Sequence, residues 1–253
     1  TQQHLDSAHV VLFGAGAQGA VCARALVAAG IGRLTIVDAV DVARSDLYFS
    51  GLFAPSDTGM NRAAALAAQL SGDDTQTDVF ALTTRPADAG ECLSVIAGAS
   101  LVLCCLDSGE LNLANMLNLA CRQAGVPWIA SSLEGVELIV GPGFDHAPNG
   151  PCYMCWRQRE VAAASSPQSR YALEMQLDNA RTDLSGRREN LAPAADIVGG
   201  MLSAEALTWL TGIGPANLTG RFLMVQVPGL RMEKHTVLRK PGCPVCSSAT
   251  GPR

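Results

Sequence analysis

The chain has 253 residues, 48% of them hydrophobic, 16% charged and only 5% aromatic, a balance that supports a substantial core and excludes a disordered chain. Its formal charge of −5 argues against nucleic acid as a main partner, because phosphate binding needs a basic surface that releases counterions. Charges at Arg24, Asp38, Asp107, Asp196 and Glu205 interrupt the longest apolar runs, so no membrane span is expected.

The first residues, "TQQHLDSAH", carry no basic region of a signal peptide and no initiator Met, so an upstream segment can have been trimmed. From there "HVVLFGAGAQGAVCARALVAAGIGRLTIVDA" reads as strand, Gly-rich turn, helix and strand, a βαβ unit. "TDVFALTT" reads as a further strand, and "LVLCCLD" as a strand buried on both faces. "ELNLANMLNLACRQAG" is a helix closed by Gly125, and "PWIASSLEG" and "ELIVGP" add strands. Residues 160–192 are polar and weakly periodic, a crossover holding one or two helices. "APAADIVGGMLSAEALTWLTG" returns as an amphipathic helix ending at Gly212, before "RFLMVQVP" and "MEKHTVLRK" as an antiparallel pair. The fold class expected is α/β: a Rossmann-like doubly wound, mostly parallel sheet with a C-terminal antiparallel extension and a structural zinc site.

Gly14, Gly16 and Gly19 form G-x-G-x-x-G between a strand and a helix, and Asp38 closes the next strand. Gly14 permits the tight turn, Gly16 lets backbone approach a phosphate, and Gly19 lets helix and strand pack closely. The helix N-terminus then suits an anion, and Asp38 suits ribose hydroxyls. A tight βα turn that binds nothing is the bland reading.

Cys152 and Cys155, then Cys243 and Cys246, make C-x-x-C twice, each in a Pro/Gly-rich turn. Four thiolates close a tetrahedral zinc site with no open position. A redox dithiol is the rival reading, but such a dithiol comes as one pair opening a helix. The other five of the nine cysteines read as small buried hydrophobes, and the odd, scattered set suits a reducing cytoplasm. Trp128, Trp156 and Trp209 read as packing residues, and the histidines show no metal spacing.

The Gly-rich turn, Asp38, "LVLCCLDS" and two cysteine turns, in that order, resemble the ubiquitin-activating-enzyme-like superfamily of ThiF/MoeB adenylyltransferases, over about Leu5 to Cys246. The resemblance implies residues 1–150 as the Rossmann-like nucleotide-binding-fold part and 151–253 as zinc-stapled crossover, helix and C-terminal strands of one continuous domain. It also implies ATP and Mg²⁺ at the carboxyl edge of the sheet, adenylation of the C-terminal carboxylate of a peptide or small carrier protein, and a homodimer. Asp107 matches the family's Mg²⁺-binding aspartate; capping the following helix is an equal reading.

The chain departs from the family where phosphates are bound. The family's S-N-L-x-R-Q aligns with "SDLYFS", so Asp46, Phe49 and Ser50 stand for its Asn, Arg and Gln, and Arg62 stands for its lysine. The only lysines are Lys234 and Lys240, so Arg62 and Arg44 are the cations left for the catalytic role beside Asp107. Ala17 replaces the second glycine of a pair, and "RRENLAPAADIVGG" lacks the cysteine of thioester-forming relatives. These departures, with "CYMCWRQRE", resemble the branch that serves ribosomal peptide maturation beside YcaO cyclodehydratases. Two readings stand: a protein with an eroded ATP site that binds a precursor peptide and a YcaO-type modifying partner, or a working adenylyltransferase. A nicotinamide or flavin oxidoreductase shares the turn but does not predict the cysteine pairs. The "GRR" at 186–188 reads as a solvated loop rather than a peptide contact.

Overall fold

The computed structural model describes residues 2–49, 51–72, 75–105, 110–180 and 191–247. Asp107, Ser50 and the 186–188 stretch lie outside them. After a short α1 (Gln2–Asp6), the chain forms β1 (His9–Phe13), α2 (Ala17–Ala28), β2 (Arg33–Val37), α3 (Asp46–Phe49), α4 (Arg62–Leu70), β3 (Asp78–Leu82), α5 (Ala89–Val95), β4 (Leu101–Cys104) and α6 (Leu111–Ala124). It continues through β5 (Trp128–Glu134), β6 (Glu137–Phe144), α7 (Tyr153–Ala163), α8 (Pro167–Ala180), α9 (Ala192–Thr211), β7 (Arg221–Gln226) and β8 (Arg231–Thr236). The eight strands form one sheet in the order β3-β2-β1-β4-β5-β6-β7-β8. β3 to β5 run parallel and β6, β7 and β8 are added antiparallel, which is the doubly wound sheet with its expected extension.

The central strands are apolar throughout because both faces are covered. Along β1, Val10 and Leu12 enter one core with α2, α4 and α9, while Val11 and Phe13 enter the other with α5 and α6. β4 divides the same way: Leu101 and Leu103 face the first core, Val102 and Cys104 the second. Helices change faces between β1 and β4, so the crevice of the switch point opens at the carboxyl ends of these two strands. The first core runs from Leu12 and Ile36 to Val198, Leu202 and Val225, so residues from both sides of position 150 share it.

Two helices end on left-handed glycines as their sequences indicated, Gly125 at φ 67° and Gly212 at φ 66°. The long α9 buries Ala194, Ala195, Val198, Gly199, Leu202, Ser203, Glu205 and Ala206, a single stripe at helical spacing. Glu205 is buried without an ionic partner among the described residues, and its carboxylate accepts the Leu218 N–H at 2.7 Å, which fixes the loop entering β7. α9 lies on α2, the helix of the Gly-rich turn, and Gly199 makes that approach possible. A Cβ on Gly199 would stand 2.7 Å from Val21 Cβ and 2.8 Å from the Gln18 carbonyl oxygen, whereas one on Gly200 would meet nothing within 4 Å.

The pair Gly199→Ala and Gly200→Ala therefore separates packing from propensity. Gly199→Ala is expected to destabilise the fold by about 1–3 kcal/mol through overpacking. Gly200→Ala is expected to stabilise it by roughly 0.5–1 kcal/mol. Urea unfolding followed by circular dichroism checks both signs.

Candidate nucleotide turn and metal centre

The turn after β1 has the geometry its glycines allow. Gly14 takes φ 94°, a left-handed conformation, and its N–H donates to the Val37 carbonyl at 2.9 Å. A Cβ on Gly19 would lie 1.9 Å from the Gly14 oxygen, so only glycine lets α2 start this close to the strand end. Gly16 caps α2 in an extended conformation without a side-chain hydrogen bond, leaving the first N–H groups of the helix facing the switch-point crevice.

Asp38 is built into this turn. Its Oδ2 accepts the Ala15 N–H at 2.7 Å and its Oδ1 the Val40 N–H at 2.8 Å. Burial pushes its carboxyl above the usual range, opposed by the Ala15 N–H and the Arg62 guanidinium. Each oxygen retains a second lone pair for an incoming hydroxyl, so the carboxylate holds the turn and keeps acceptor capacity. Asn61 secures the same corner: its Oδ1 caps α4 at the Ala64 N–H, and its Nδ2 donates to the Asp38 carbonyl at 2.9 Å. An Asn directly before the apolar run "RAAALAAQL" is an N-cap signal that the reading of the sequence passed over.

Beyond the turn, Arg62 and Asp46 meet. The Arg62 side chain is 0% exposed and that of Asp46 5%. Nε of Arg62 donates to Asp46 Oδ2 at 2.9 Å and Nη2 to Oδ1 at 2.8 Å, a two-pronged pair of opposite charges. Asp46 Oδ2 also accepts the Ala43 N–H at 2.8 Å, so the carboxylate organises its own loop as well. Arg44, two residues away, is exposed. The sequence brought Asp46 and Arg62 to one region of the sheet edge but did not reveal that they neutralise each other. The available signal was that the family's neutral Asn and its Lys are exchanged together for an anion and a forked cation.

At the far end of the sheet the two cysteine pairs converge. Cys152 precedes α7 and Cys155 lies in its first turn, so this pair does open a helix, as a redox dithiol would. The second pair decides against that reading. Cys152 Sγ lies 3.6 Å from Cys243 Sγ and 3.8 Å from Cys155 Sγ, and Cys155 Sγ lies 3.4 Å from Cys246 Sγ. All four sulfurs are buried within 4.8 Å of one another and could hold a metal ion. Tetrahedral sulfur ligands at about 2.3 Å from zinc stand about 3.8 Å apart, so the donor set and spacing fit that ion. The Lys240 N–H donates to Cys155 Sγ at 3.3 Å, an outer hydrogen bond of the kind that steadies a thiolate.

Side chains continue this staple. Arg239 donates to the carbonyls of Pro148 and Cys246, and Arg159 to that of Leu238. An aromatic series runs from β5 through α7 to β7: Trp128 on Tyr153 at 5.4 Å, Tyr153 on Trp156 at 5.5 Å and Trp156 on Phe222 at 5.9 Å. Trp128 and Trp156 thus pack, and Trp209 packs against the first core. Cys22, Cys92, Cys104, Cys105 and Cys121 are buried free thiols, and burial pushes Cys22 up to about 12. Among the described residues no histidine joins a metal-binding group.

A cavity of about 690 Å³ opens between α6, α7, α8 and the loop after β8. No helix among the described residues is long and apolar enough to cross a membrane.

A mostly parallel sheet with a glycine turn at its switch point and a cluster of four buried cysteines defines a Rossmann-like α/β protein with a candidate metal centre. The chain belongs to the ThiF family, whose model matches residues 1–245. It is 28% identical over 249 residues to the molybdopterin-synthase adenylyltransferase of Salmonella typhimurium, covering 97% of this chain and 89% of that protein. To the SAMP-activating enzyme E1 of Haloferax volcanii it is 29% identical over 245 residues, covering 97% and 82%. Among solved structures, Escherichia coli MccB with MccA-N7isoASN matches with a TM-score of 0.80 at 21% identity, covering 97% of this chain and 68% of that one; this likeness is one of fold.

Because Arg62 and Asp46 desolvate each other's charge, removing one partner strands the other. Arg62→Ala is expected to lower stability by about 3–5 kcal/mol. Asp46→Leu combined with Arg62→Met is expected to cost less than Arg62→Ala alone. Unfolding free energies from denaturant titration of the two variants give the comparison, and an equal or larger loss in the apolar pair would contradict it.

Proposed function

We propose that this chain is a ThiF/MoeB-like protein of ribosomal peptide biosynthesis, of the thiazole/oxazole type or a related one, that binds a precursor peptide and a modifying partner while its ATP site is eroded. The partner class is a YcaO-type cyclodehydratase. The observation that carries the reading is the burial of Arg62 at 0% exposure in a forked bond to Asp46. Adenylation requires cations that spread charge over the α-phosphate and pyrophosphate, and the residue at the family's lysine position already faces an anion. Drawing Arg62 away from Asp46 would cost about 3–5 kcal/mol, roughly two to four orders of magnitude in affinity. A peptide ligand is supported by the cavity beside α7 and by the microcin C7 biosynthetic enzyme MccB, solved with N-formylated MccA.

In this reading the four thiolates hold structural Zn²⁺, residues 1–150 and 151–253 act as one continuous domain, and the protein works as a cytoplasmic homodimer. The zinc closes the C-terminal loop onto α7 and takes no part in chemistry, because four sulfurs leave no open position.

A second reading has its own support. The contact of Gly19 with Gly14 and the Asp38–Ala15 bond keep the nucleotide turn in shape, and the relatives in Salmonella typhimurium and Haloferax volcanii are named as an adenylyltransferase and an activating enzyme. MccB has also been solved with ATP. An active enzyme would activate the carboxylate of a peptide or ubiquitin-like carrier protein, with Asp107 holding Mg²⁺, Arg62 and Arg44 facing the phosphates, and Gly14, Gly16, Gly19, Asp38 and Asp46 around the nucleotide.

Calorimetric titration of Mg·ATP into the zinc-loaded protein separates the two. The proposed function predicts no saturable binding below millimolar concentrations and no pyrophosphate release with candidate peptides. Micromolar binding that Asp107→Ala abolishes would establish the adenylating enzyme instead. For the metal, one zinc per chain is expected by atomic emission. Cys155→Ser is expected to lose most of it together with cooperative melting, and a metal-free chain that melts like the wild type would remove zinc from the account.

A further inference from the structure

The cavity between α6, α7 and α8 differs in charge from the rest of the molecule. Among the described residues its lining includes the cations Arg157 and Lys240 and no aspartate or glutamate, although the chain as a whole carries −5. Arg157 is paired, since it binds Glu160 on its own helix and Arg170 approaches the same carboxylate. Lys240 is different: its ammonium is half-buried and meets only the neutral Gln158 Oε1 among the described residues. An ammonium carries three donors, so a half-buried one with a single neutral acceptor is incompletely satisfied.

Two further features point to a ligand of extended polypeptide. Asn115, in the opening turns of α6, lines the cavity, and its Oδ1 is buried with no hydrogen-bond partner among the described residues. A carboxamide offers both an acceptor and donors in one plane, which complements the N–H and C=O of a peptide unit. Tyr171 and Met175 of α8 line the opposite wall and remain 58% and 41% exposed, apolar area that alternate side chains of an extended segment would cover. A volume of about 690 Å³ takes a few residues.

We propose that this cavity is the docking groove for the peptide and that Lys240 selects an acidic side chain within it, with Asn115 bonding the peptide backbone. The inference rests on the reading of the chain as a peptide-binding protein and names what that peptide must carry. The side-chain carboxylate forms a charge-assisted hydrogen bond with the Lys240 ammonium. The four-thiolate loop sets the position of Lys240, because its N–H donates to Cys155 Sγ and its carbonyl accepts the Cys243 N–H at 3.2 Å.

A positional-scanning library of N-acetylated, C-amidated hexapeptides, captured on zinc-loaded protein, tests this without a free C-terminal carboxylate. The wild type is expected to enrich Asp or Glu over Asn or Gln by about tenfold or more at one internal position. Lys240→Gln brings that position to near parity, and Lys240→Glu moves the enrichment to Lys and Arg. Asn115→Leu weakens capture of all peptides while the acidic preference stays. Enrichment that is the same in the wild type and Lys240→Gln overturns the groove's selectivity and leaves peptide binding intact. Acid selection that appears only in a parallel library with free C-termini also overturns it, since Lys240 would then read a terminus. Capture of no peptide by folded, zinc-loaded wild type overturns both this inference and the function on which it rests.

Discussion

A buried pair of opposite charges, Arg62 and Asp46, holds together the corner that adjoins Asp38 of the glycine turn. Arg62 begins α4 and Asp46 begins α3, sixteen residues apart, and their forked bond ties the loop after β2 to the helix that leads into β3. Such a pair contributes little net stability over apolar packing but makes each partner indispensable to the other. Its functional consequence follows from position. Arg62, whose charge acts on Asp38 of the glycine turn, is already balanced by Asp46, and the turn is held in place by Asp38 and Asn61. The proposed loss of phosphate binding therefore needs no disruption of the fold: in that reading the crevice keeps its shape and only the charge available to a phosphate changes.

The second organising centre is at the opposite side of the sheet. Four buried sulfurs, the arginine bonds to backbone carbonyls and the aromatic series from Trp128 to Phe222 fasten α7 and the C-terminal loop to β5 through β8. The outer strands of the antiparallel extension are only partly buried: β7 is mostly half-buried and β8 is exposed or half-buried throughout. A weak edge of this kind gains from a closure that does not depend on apolar area. The same closure brings Lys240 to the cavity beside α7, so a structural centre and the proposed peptide groove share one loop.

Much of the fold could be read in the chain itself. Strands buried on both faces announce themselves as unbroken apolar runs, as "LVLCC" does, because no position is left for water. Gly125 and Gly212 mark helix ends by the one backbone conformation that favours glycine, and two C-x-x-C turns mark a thiolate cluster by stoichiometry. The crevice was less legible. Arg62 reads in sequence as a cation free to meet phosphate, because arginine is seldom fully buried; its pairing with Asp46 is a long-range contact that no local pattern encodes. The cavity was illegible for the same reason, since α6, α7, α8 and the loop at Lys240 meet only in three dimensions. Glu205 belongs with these, an anion on a largely apolar helix face whose purpose is visible only once Leu218 stands beside it.

The central claim is that Asp46 withholds the charge of Arg62 from phosphate. It is tested most directly by measuring Mg·ATP affinity by titration calorimetry in Asp46→Asn beside the wild type, with both proteins shown by thermal melting to be folded. Asparagine keeps the shape and one acceptor while removing the anion, so the account predicts that Asp46→Asn binds at least about tenfold more tightly. Equal affinity in the two proteins, or tighter binding by the wild type, would contradict it.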